Sequence, residues 1–251
     1  MAQSLLVDVD EVLVARGLQK AFRGVPAVDG VDLTIRSSER VALLGPNGAG
    51  KTTTLLMILG VVTPDTGTVM ICGHLLPRWR SEAMRHVGFA AGYLPLPERL
   101  RVGEVLGVFA ELYGIRRPNR TVDAGLARFG ISHLTNRMAS ELSSGQRTLV
   151  GIVKATLHRP RLLILDEPTA SLDPDVAERV RSGLETICSE DGTTVLVTSH
   201  NMTDVERVCE RVVFLSRGRI VADGKAAEVA TAFGQSSLAE VFMHLASQEE
   251  L

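Results

Sequence analysis

Residues 45–53 read GPNGAGKTT and lie between the apolar run VALL (41–44) and the apolar segment TLLMILG (54–60). A strand, a glycine-rich loop and a helix in this order form the setting in which the P-loop motif binds phosphate. The fixed positions of that motif are occupied by Gly45, Gly50, Lys51 and Thr52. The sequence therefore predicts a nucleoside triphosphate site here, and a chance glycine-rich turn is the alternative.

The backbone of this loop carries most of the expected chemistry. Glycines let the chain wrap closely around a phosphate, so that N–H groups of residues 48–53 point inward at a helix N-terminus. Lys51 is placed to bridge the β- and γ-phosphates, and the Thr52 hydroxyl suits Mg²⁺. The residues assigned to nucleotide binding in this loop are Gly45, Pro46, Asn47, Gly48, Ala49, Gly50, Lys51, Thr52 and Thr53.

Two adjacent carboxylates end a second apolar run, within RLLILDEPTASLD (161–173). Neighbouring side chains of a strand point in opposite directions, so the two acids can have different roles. Asp166 suits the binding of Mg²⁺, and Glu167 suits orienting or deprotonating an attacking water. Glu167 is therefore assigned as a catalytic residue, together with Lys51 of the phosphate loop. An ordinary strand exit before Pro168 is the alternative, and the phosphate loop upstream weighs against it.

The composition of the chain is compatible with a globular enzyme, and it excludes few other classes of protein. The 251 residues are 45% hydrophobic, and a formal net charge of -2 gives no overall basic field for nucleic acid or an anionic membrane. Cys72, Cys188 and Cys209 lack the spacing of a zinc cluster or a disulfide framework, so reduced thiols are expected. No apolar run approaches the roughly 18 residues of a membrane span. Because residues 1–10 also lack a basic region, we expect the chain to be neither secreted nor membrane-embedded.

Short β-branched runs alternate with helical stretches, which predicts an α/β fold with a mostly parallel sheet and an antiparallel N-terminal β subdomain. The predicted strands are 12–18, 31–35, 41–44, 68–72, 87–90, 162–165, 194–197, 212–215 and 219–222. Between residues 102 and 157 the pattern is helical throughout, which predicts a helical subdomain inserted into the catalytic core. We expect one domain, 1–251, with a helical tail over about 225–251.

At LSSGQ the sequence reaches a resemblance to the ATP-binding subunits of ABC transporters, and more closely to those of multidrug or antibiotic exporters. The similarity extends over almost the whole chain. The segments that carry it are KAFRG (20–24), PAVDGVDLTI (26–35), GPNGAGKTT (45–53), LSSGQR (142–147), LLILDEPTASLDP (162–174), TVLVTSHNMTDVERVCERV (194–212) and SLAEVFMHL (237–245). The resemblance implies a P-loop ATPase fold that binds ATP and Mg²⁺.

The resemblance also implies roles for single residues outside the phosphate loop. Phe22 matches the aromatic residue that stacks on adenine, and a core phenylalanine is the alternative. His200 matches the switch histidine that contacts the γ-phosphate and holds Glu167 and water in position. Asp173 matches the loop that crosses the dimer interface, although Asp before Pro is also a common turn or helix N-cap.

The signature segment implies a second subunit. Its residues Ser143, Ser144, Gly145 and Gln146 match the signature motif LSGGQ, in which a helix N-terminus meets the γ-phosphate bound by the opposite subunit. A plain N-cap role for Ser143 is compatible with the same geometry. Ser144 replaces a glycine of that motif, and its hydroxymethyl group either crowds the phosphate or adds a donor.

A second departure lies before the helical subdomain. The family carries a glutamine there that reaches Mg²⁺, and counting back from Leu100 places Gly92 at its position. Since glycine has no polar side chain, any metal contact there must come from backbone or water. The neighbouring loop YLPLPERL (93–100) suits a groove for the coupling helix of a membrane partner, and an ordinary surface loop is the alternative.

The resulting expectation is an ATPase subunit that dimerises around two ATP molecules and drives transport, in the direction of export, by a separate membrane permease. A homodimer is expected, with no nucleic acid partner and with membrane contact only through the permease at the cytoplasmic face. Two alternatives stay open. One is a regulatory ATP-binding module with weak hydrolysis, favoured by Gly92 and Ser144, and the other is a non-transport ABC ATPase acting on nucleic acid or ribosomes.

Overall fold

The computed structural model describes residues 10–92, 94–170 and 172–249. Four parts of the sequence predictions lie outside the described residues. They are the N-terminal segment up to residue 9, Tyr93 of the YLPLPERL loop, Ser171 before the Asp173 turn, and residues 250–251 of the predicted tail.

Strands and helices alternate along the described chain. The strands are β1 (Glu11–Phe22), β2 (Val25–Arg36), β3 (Arg40–Leu44), β4 (Thr66–Ile71), β5 (His74–Leu75), β6 (Val87–Ala91), β7 (Leu162–Asp166), β8 (Thr194–Thr198), β9 (Arg211–Ser216) and β10 (Arg219–Gly224). The α-helices are α1 (Lys51–Ile58), α2 (Arg80–Met84), α3 (Val102–Leu112), α4 (Pro118–Arg128), α5 (Ser144–Thr156), α6 (Pro174–Asp191), α7 (Met202–Val208), α8 (Ala226–Ala232) and α9 (Leu238–Glu249). Two 3-10 turns, Ser132–Leu134 and Ala139–Glu141, lie between α4 and α5.

The described chain divides into two compact units, and the first comprises residues 10–39, 44–86 and 211–249. Its antiparallel sheet has the strand order β2-β1-β4-β5, and β9 and β10 form an antiparallel hairpin. In β2 the side chains of Val31, Leu33 and Ile35 are buried while Asp32 is exposed. This alternation is what a sheet with one covered face requires.

The second unit comprises residues 40–43 and 87–210. Its strands run parallel in the order β3-β8-β7-β6, with Leu163 opposite Val195 on one side and Gly88 on the other. All residues of β7 and β8 are buried. Continuous apolar runs such as LLIL and VLV are the pattern of strands covered on both faces, which explains their parallel pairing here.

The carboxyl ends of these parallel strands meet at one edge of the sheet, where α/β proteins place their functional loops. Strand β7 ends at Asp166 and β8 ends opposite it at Thr198. Strand β6 ends at Ala91, which is also opposite Asp166, and Gly92 follows. The chain of β3 continues beyond Leu44 directly into the glycine-rich loop.

The predicted α/β fold with an antiparallel N-terminal sheet and a mostly parallel sheet is confirmed. All nine predicted strands are present. Most extend one or two residues further than predicted, and β2 begins six residues earlier, whereas β4 ends one residue before the predicted Cys72. Strand β5 was not predicted because its two residues are too short for a period to be read. The predicted helical region, residues 102–157, contains α3, α4, α5 and the two 3-10 turns. Its boundaries as a subdomain stay a prediction.

Within the described residues, every helix is too short or too polar to span a bilayer.

Two glycines inside helices allow opposite predictions for the same substitution. A Cβ atom at Gly183 in α6 would collide with the ring of Phe129, which is buried, whereas a Cβ atom at Gly151 in α5 would meet no atom within 4 Å. We expect Gly183→Ala to destabilise the protein by about 1–3 kcal/mol through overpacking. Gly151→Ala should stabilise it by roughly 0.5–1 kcal/mol, because alanine favours the helix. Urea unfolding followed by circular dichroism measures both, and equal shifts for the two variants would contradict the packing of α6 on Phe129.

Candidate functional site

The glycine-rich loop of the first unit depends on glycine at two positions. Gly45 and Gly50 have φ angles of 148° and 103°, which are unfavourable for residues with a side chain. A Cβ atom at Gly45 would collide with the carbonyl oxygen of Leu215, and one at Gly50 with the carbonyl oxygen of Ala27. Close backbone packing, in addition to turn geometry, therefore requires both glycines.

The loop leads into α1, whose N-cap residue is Gly50. The Lys51 ammonium group donates to the carbonyl oxygens of Gly45 and Pro46 at 2.6 and 2.9 Å, so the lysine is folded over the loop. The Thr52 hydroxyl is on an exposed residue at the start of the same helix. N–H groups in the first turn of a helix have no acceptor within that helix, and their dipoles favour an anion. The loop thus has the donors that a polyphosphate needs.

In the second unit, one threonine connects the two predicted carboxylates. The Thr198 hydroxyl donates to Asp166 Oδ1 at 2.6 Å and accepts from the Glu167 backbone N–H at 3.1 Å. The Thr198 carbonyl oxygen accepts from the same N–H at 3.1 Å. These bonds hold Glu167 at a φ of 53°, a left-handed conformation that is unusual for a residue with a side chain. The chain therefore turns sharply directly after Asp166.

Glu167 and His200 lie close together. The distance from His200 Nδ1 to Glu167 Oε2 is 2.8 Å, and the His200 side chain is 64% exposed against 31% for Glu167. His200 follows β8 by two residues, and Glu167 follows the neighbouring strand β7 directly. The register of two paired strands thus brings an exposed imidazole next to a partly buried carboxylate, whose Oε2 atom is shielded from solvent. A carboxylate and an imidazole this close together can orient and deprotonate a water molecule.

A buried ion pair fixes the segment that carries His200. Asn201 caps α7 by accepting from the Asp204 N–H, and its amide donates to Asp204 Oδ2 at 3.1 Å. The other Asp204 oxygen accepts from Arg181 of α6. Hydrogen bonds to Glu178 and Asp204 hold the pKa of Arg181 above its ordinary value, with burial acting in the opposite direction. Since such a pair is costly to break, α7 is held firmly on α6.

The signature residues form the N-terminus of α5. Ser143 is its N-cap, and a capping box joins Ser143 to Gln146, each accepting from the backbone N–H of the other at 3.3 and 3.1 Å. Ser144 is exposed at the first helical position. A Cβ atom at Gly145 would lie 2.9 Å from Val176 of α6, so glycine allows the two helices to approach. Ser143 therefore does act as an N-cap residue. The hydroxyl groups of Ser143 and Ser144 nevertheless belong to exposed residues at the helix N-terminus.

Asp173 and Phe22 are both accessible. Asp173 is the N-cap residue of α6, but its side chain makes no capping bond and is exposed, while Pro174 occupies the first helical position. Phe22 ends β1 with 49% of its surface exposed, and Lys20 Nζ lies 5.8 Å from its ring centroid. The alternative of a core phenylalanine is therefore wrong, and an aromatic face is available for stacking.

Sequence reasoning missed three residues of this arrangement, namely Thr198, Asp204 and Arg181. The sequence did contain a signal for Thr198, because a hydroxyl group at the end of an apolar strand needs a hydrogen-bond partner. The predicted carboxylates at the end of the other apolar strand could supply one. The pairing of Arg181 with Asp204 had none, since it depends on how α6 and α7 pack. At Gly92, a Cβ atom would meet no atom within 4 Å, so the fold itself leaves room for a side chain there.

The parallel sheet and the P-loop define a nucleotide-binding protein of the P-loop class. The sequence family described as "ABC transporter" matches residues 28–170. Among curated proteins, the Nod factor export ATP-binding protein I of Ralstonia nicotianae is 34% identical over 224 residues, covering 88% of this chain and 69% of that protein. The lipopolysaccharide export system ATP-binding protein LptB of Escherichia coli K12 is 36% identical over 224 residues, covering 86% and 92%.

Solved structures give the same result. An ATP-binding subunit of an ABC transporter superposes with a TM-score of 0.83 at 29% identity, covering 93% of this chain and 99% of that one. The protein cbiO1 from Clostridium perfringens, part of the transporter complex cbiONQ, gives 0.80 at 25% identity, covering 96% and 100%. This chain belongs to the ABC transporter family, as an ATP-binding subunit.

The Thr198 hydroxyl can be tested by removing it at nearly constant shape. Thr198→Val leaves the buried Asp166 carboxylate without this donor and the Glu167 N–H with one acceptor fewer, so we expect a loss of about 1–3 kcal/mol in the free energy of unfolding. Thr198→Ser keeps the hydroxyl and is the matched control. Chemical denaturation measures both variants, and a valine variant as stable as the serine variant would show that the hydroxyl does not support the turn.

Proposed function

We propose that this chain hydrolyses ATP and that two copies close around two ATP molecules to drive export by a separate membrane permease. Family membership gives the general activity, and the single observation that supports hydrolysis is the 2.8 Å approach of His200 to Glu167. Lys51 and the backbone N–H groups of its loop bind the β- and γ-phosphates. Glu167 accepts a proton from the attacking water while His200 holds both in position. Phe22 stacks on adenine.

The residues present fit a magnesium ion. Within the described residues, no cluster of three or more His, Cys, Asp or Glu side chains could hold a metal alone. Mg²⁺ usually keeps several waters and takes one or two protein ligands beside substrate phosphates. Thr52 and Asp166 are the groups assigned to it, and Mg²⁺ would neutralise charge on the phosphates. Thr198 keeps Asp166 oriented through its hydrogen bond.

The proposed dimer gives a function to the exposed N-terminus of α5. Ser143, Ser144 and Gly145 meet the γ-phosphate held by the partner subunit, and Asp173 lies at the dimer interface. The capping box leaves Ser143 and Ser144 exposed while fixing the turn, which supports this assignment. The export-named relatives, for Nod factor and lipopolysaccharide, support the direction of transport. We place the protein at the cytoplasmic face of the membrane, bound to the permease.

A substitution of the proposed base separates binding from hydrolysis. Glu167→Gln keeps the size of the side chain but removes its basicity, so we expect turnover to fall by roughly 100-fold or more and ATP to accumulate in a dimer. Phosphate release and size-exclusion chromatography with ATP and Mg²⁺ measure the two effects. Glu206→Gln, an exposed glutamate of α7, is the matched control. A Glu167→Gln chain that stays monomeric at saturating ATP would argue against the dimer.

The alternative of a weakly hydrolysing regulatory module is favoured by Gly92 and Ser144, and the contribution of Gly92 can be tested directly. Because a Cβ atom at residue 92 would meet no atom within 4 Å, we expect Gly92→Gln to fold and to add an amide near the end of β6. If that amide assists Mg²⁺, hydrolysis at limiting Mg²⁺ rises several-fold, while Gly92→Ala gives no increase. A steady-state ATPase assay over a magnesium titration measures this. Unchanged rates in Gly92→Gln would exclude a metal-binding explanation for the departure.

A further inference from the structure

Basic residues are concentrated in the region of α4 and α5. Residues 115–161 contain nine Lys and Arg against two Asp and Glu, whereas the whole chain contains 27 against 29. A local excess of this size creates a positive field in a protein that has none overall. The signature turn lies in this region, but six of the nine cations lie elsewhere, in or just before α4 and after the end of α5.

A cavity of about 500 Å³ collects these cations in the second unit. One wall is a face of α4, because its residues recur at helical spacing, and the opposite wall is the end of α5 and the segment after it. Four arginines line it, together with one histidine: Arg117, Arg120, Arg128, Arg159 and His158. The lining contains no acidic side chain.

The arginines differ in how far they are neutralised. Arg128 donates to Asp191 at 2.6 Å and to Glu190 at 3.0 Å, and Arg159 lies 3.9 Å from the same Asp191. By contrast, Arg117 and Arg120 form no ion pair with any residue in the described ranges. Two guanidinium groups on adjacent turns therefore face the cavity region without a carboxylate.

The walls of the cavity are well ordered by packing. A Cβ atom at Gly125 would lie 3.0 Å from Val153, so glycine lets α4 approach α5 below the arginines. The His158 ring lies 3.1 Å from the Val87 carbonyl oxygen and stacks on Tyr113 with ring centroids 4.2 Å apart. The space between the arginines thus arises from a fixed helix pair rather than from mobile loops.

We propose that this cavity binds a phosphate group, carried either by a small phosphorylated molecule or by the headgroup of an acidic lipid. Guanidinium groups bind phosphate oxygens in pairs and keep their charge at any physiological pH. Arg117 is the N-cap residue of α4 and Arg120 lies in its first turn, so the positive end of the helix dipole adds to the charge of these two side chains. This site is additional to the phosphate loop, whose residues belong to the first unit.

Direct binding tests the proposal in the full chain with Lys51→Ala, which weakens phosphate binding by the loop. One arm titrates pyrophosphate and glycerol phosphate by calorimetry, and the other sediments phosphatidylcholine vesicles with and without phosphatidic acid. Arg117→Gln with Arg120→Gln should weaken binding by roughly thirtyfold, the effect of removing two cations near a phosphate surface. Binding in the first arm alone assigns a soluble ligand, and binding to acidic vesicles alone assigns a lipid headgroup.

Two further variants separate the cavity from general charge. Arg16→Gln with Arg85→Gln removes two exposed arginines of the first unit and should leave binding within about twofold. Arg117→Lys with Arg120→Lys keeps the charge but not the paired donors, and should give intermediate affinity. Equal losses in the two Arg→Gln pairs, or no phosphate-dependent binding in either arm, would overturn the proposal. ATP hydrolysis with Lys51 intact should be the same in both Arg→Gln pairs, which keeps this test independent of the proposed function.

Discussion

The pairing of β7 with β8 is the constraint on which the candidate site in the second unit depends. It sets Asp166 opposite Thr198, and one buried hydroxyl then serves both the carboxylate and the Glu167 N–H. A left-handed conformation at a residue with a side chain costs of order 1–3 kcal/mol, and these bonds offset that cost. The result is a sharp turn after Asp166 that directs Glu167 toward His200 instead of continuing the strand. Backbone register thus determines which two side chains meet.

The chain offers two different solutions to phosphate binding. In the glycine-rich loop the donors are backbone N–H groups and one lysine, and the close approach of Gly45 and Gly50 to neighbouring carbonyl oxygens leaves no room for side chains. Such a site is rigid and specific for the shape of a polyphosphate. In the α4 cavity the donors are long arginine side chains on a helix face, which adapt to ligands of different shape. Affinity there depends on charge and salt more than on fit.

Much of this architecture could be predicted from the sequence, and the exceptions have a common cause. The nine strands were predictable because burial on one face gives alternation and burial on two faces gives apolar runs. The adjacency of Asp166 and Glu167 followed from the chain alone. The pairing of Arg181 with Asp204 did not, because it joins segments that are separate in sequence and meet only after the helices pack. Thr198 had the signal of a hydroxyl at the end of an apolar strand, but its contacts depend on the pairing of β7 with β8. The α4 cavity could not be predicted from the sequence for the same reason, because its walls come from two helices that are separate in sequence.

The two departures from the family pattern fall where the fold has no preference. A Cβ atom at residue 92 would meet no atom within 4 Å, and Ser144 is exposed at the first position of α5. Gly145, which directly follows Ser144, is different, because a Cβ atom there would press on Val176 of α6. Neither departure therefore compensates for a packing constraint. Residues that packing leaves free are often set by function, so we expect substitutions at Gly92 and Ser144 to change the rate or the coupling of hydrolysis more than folding.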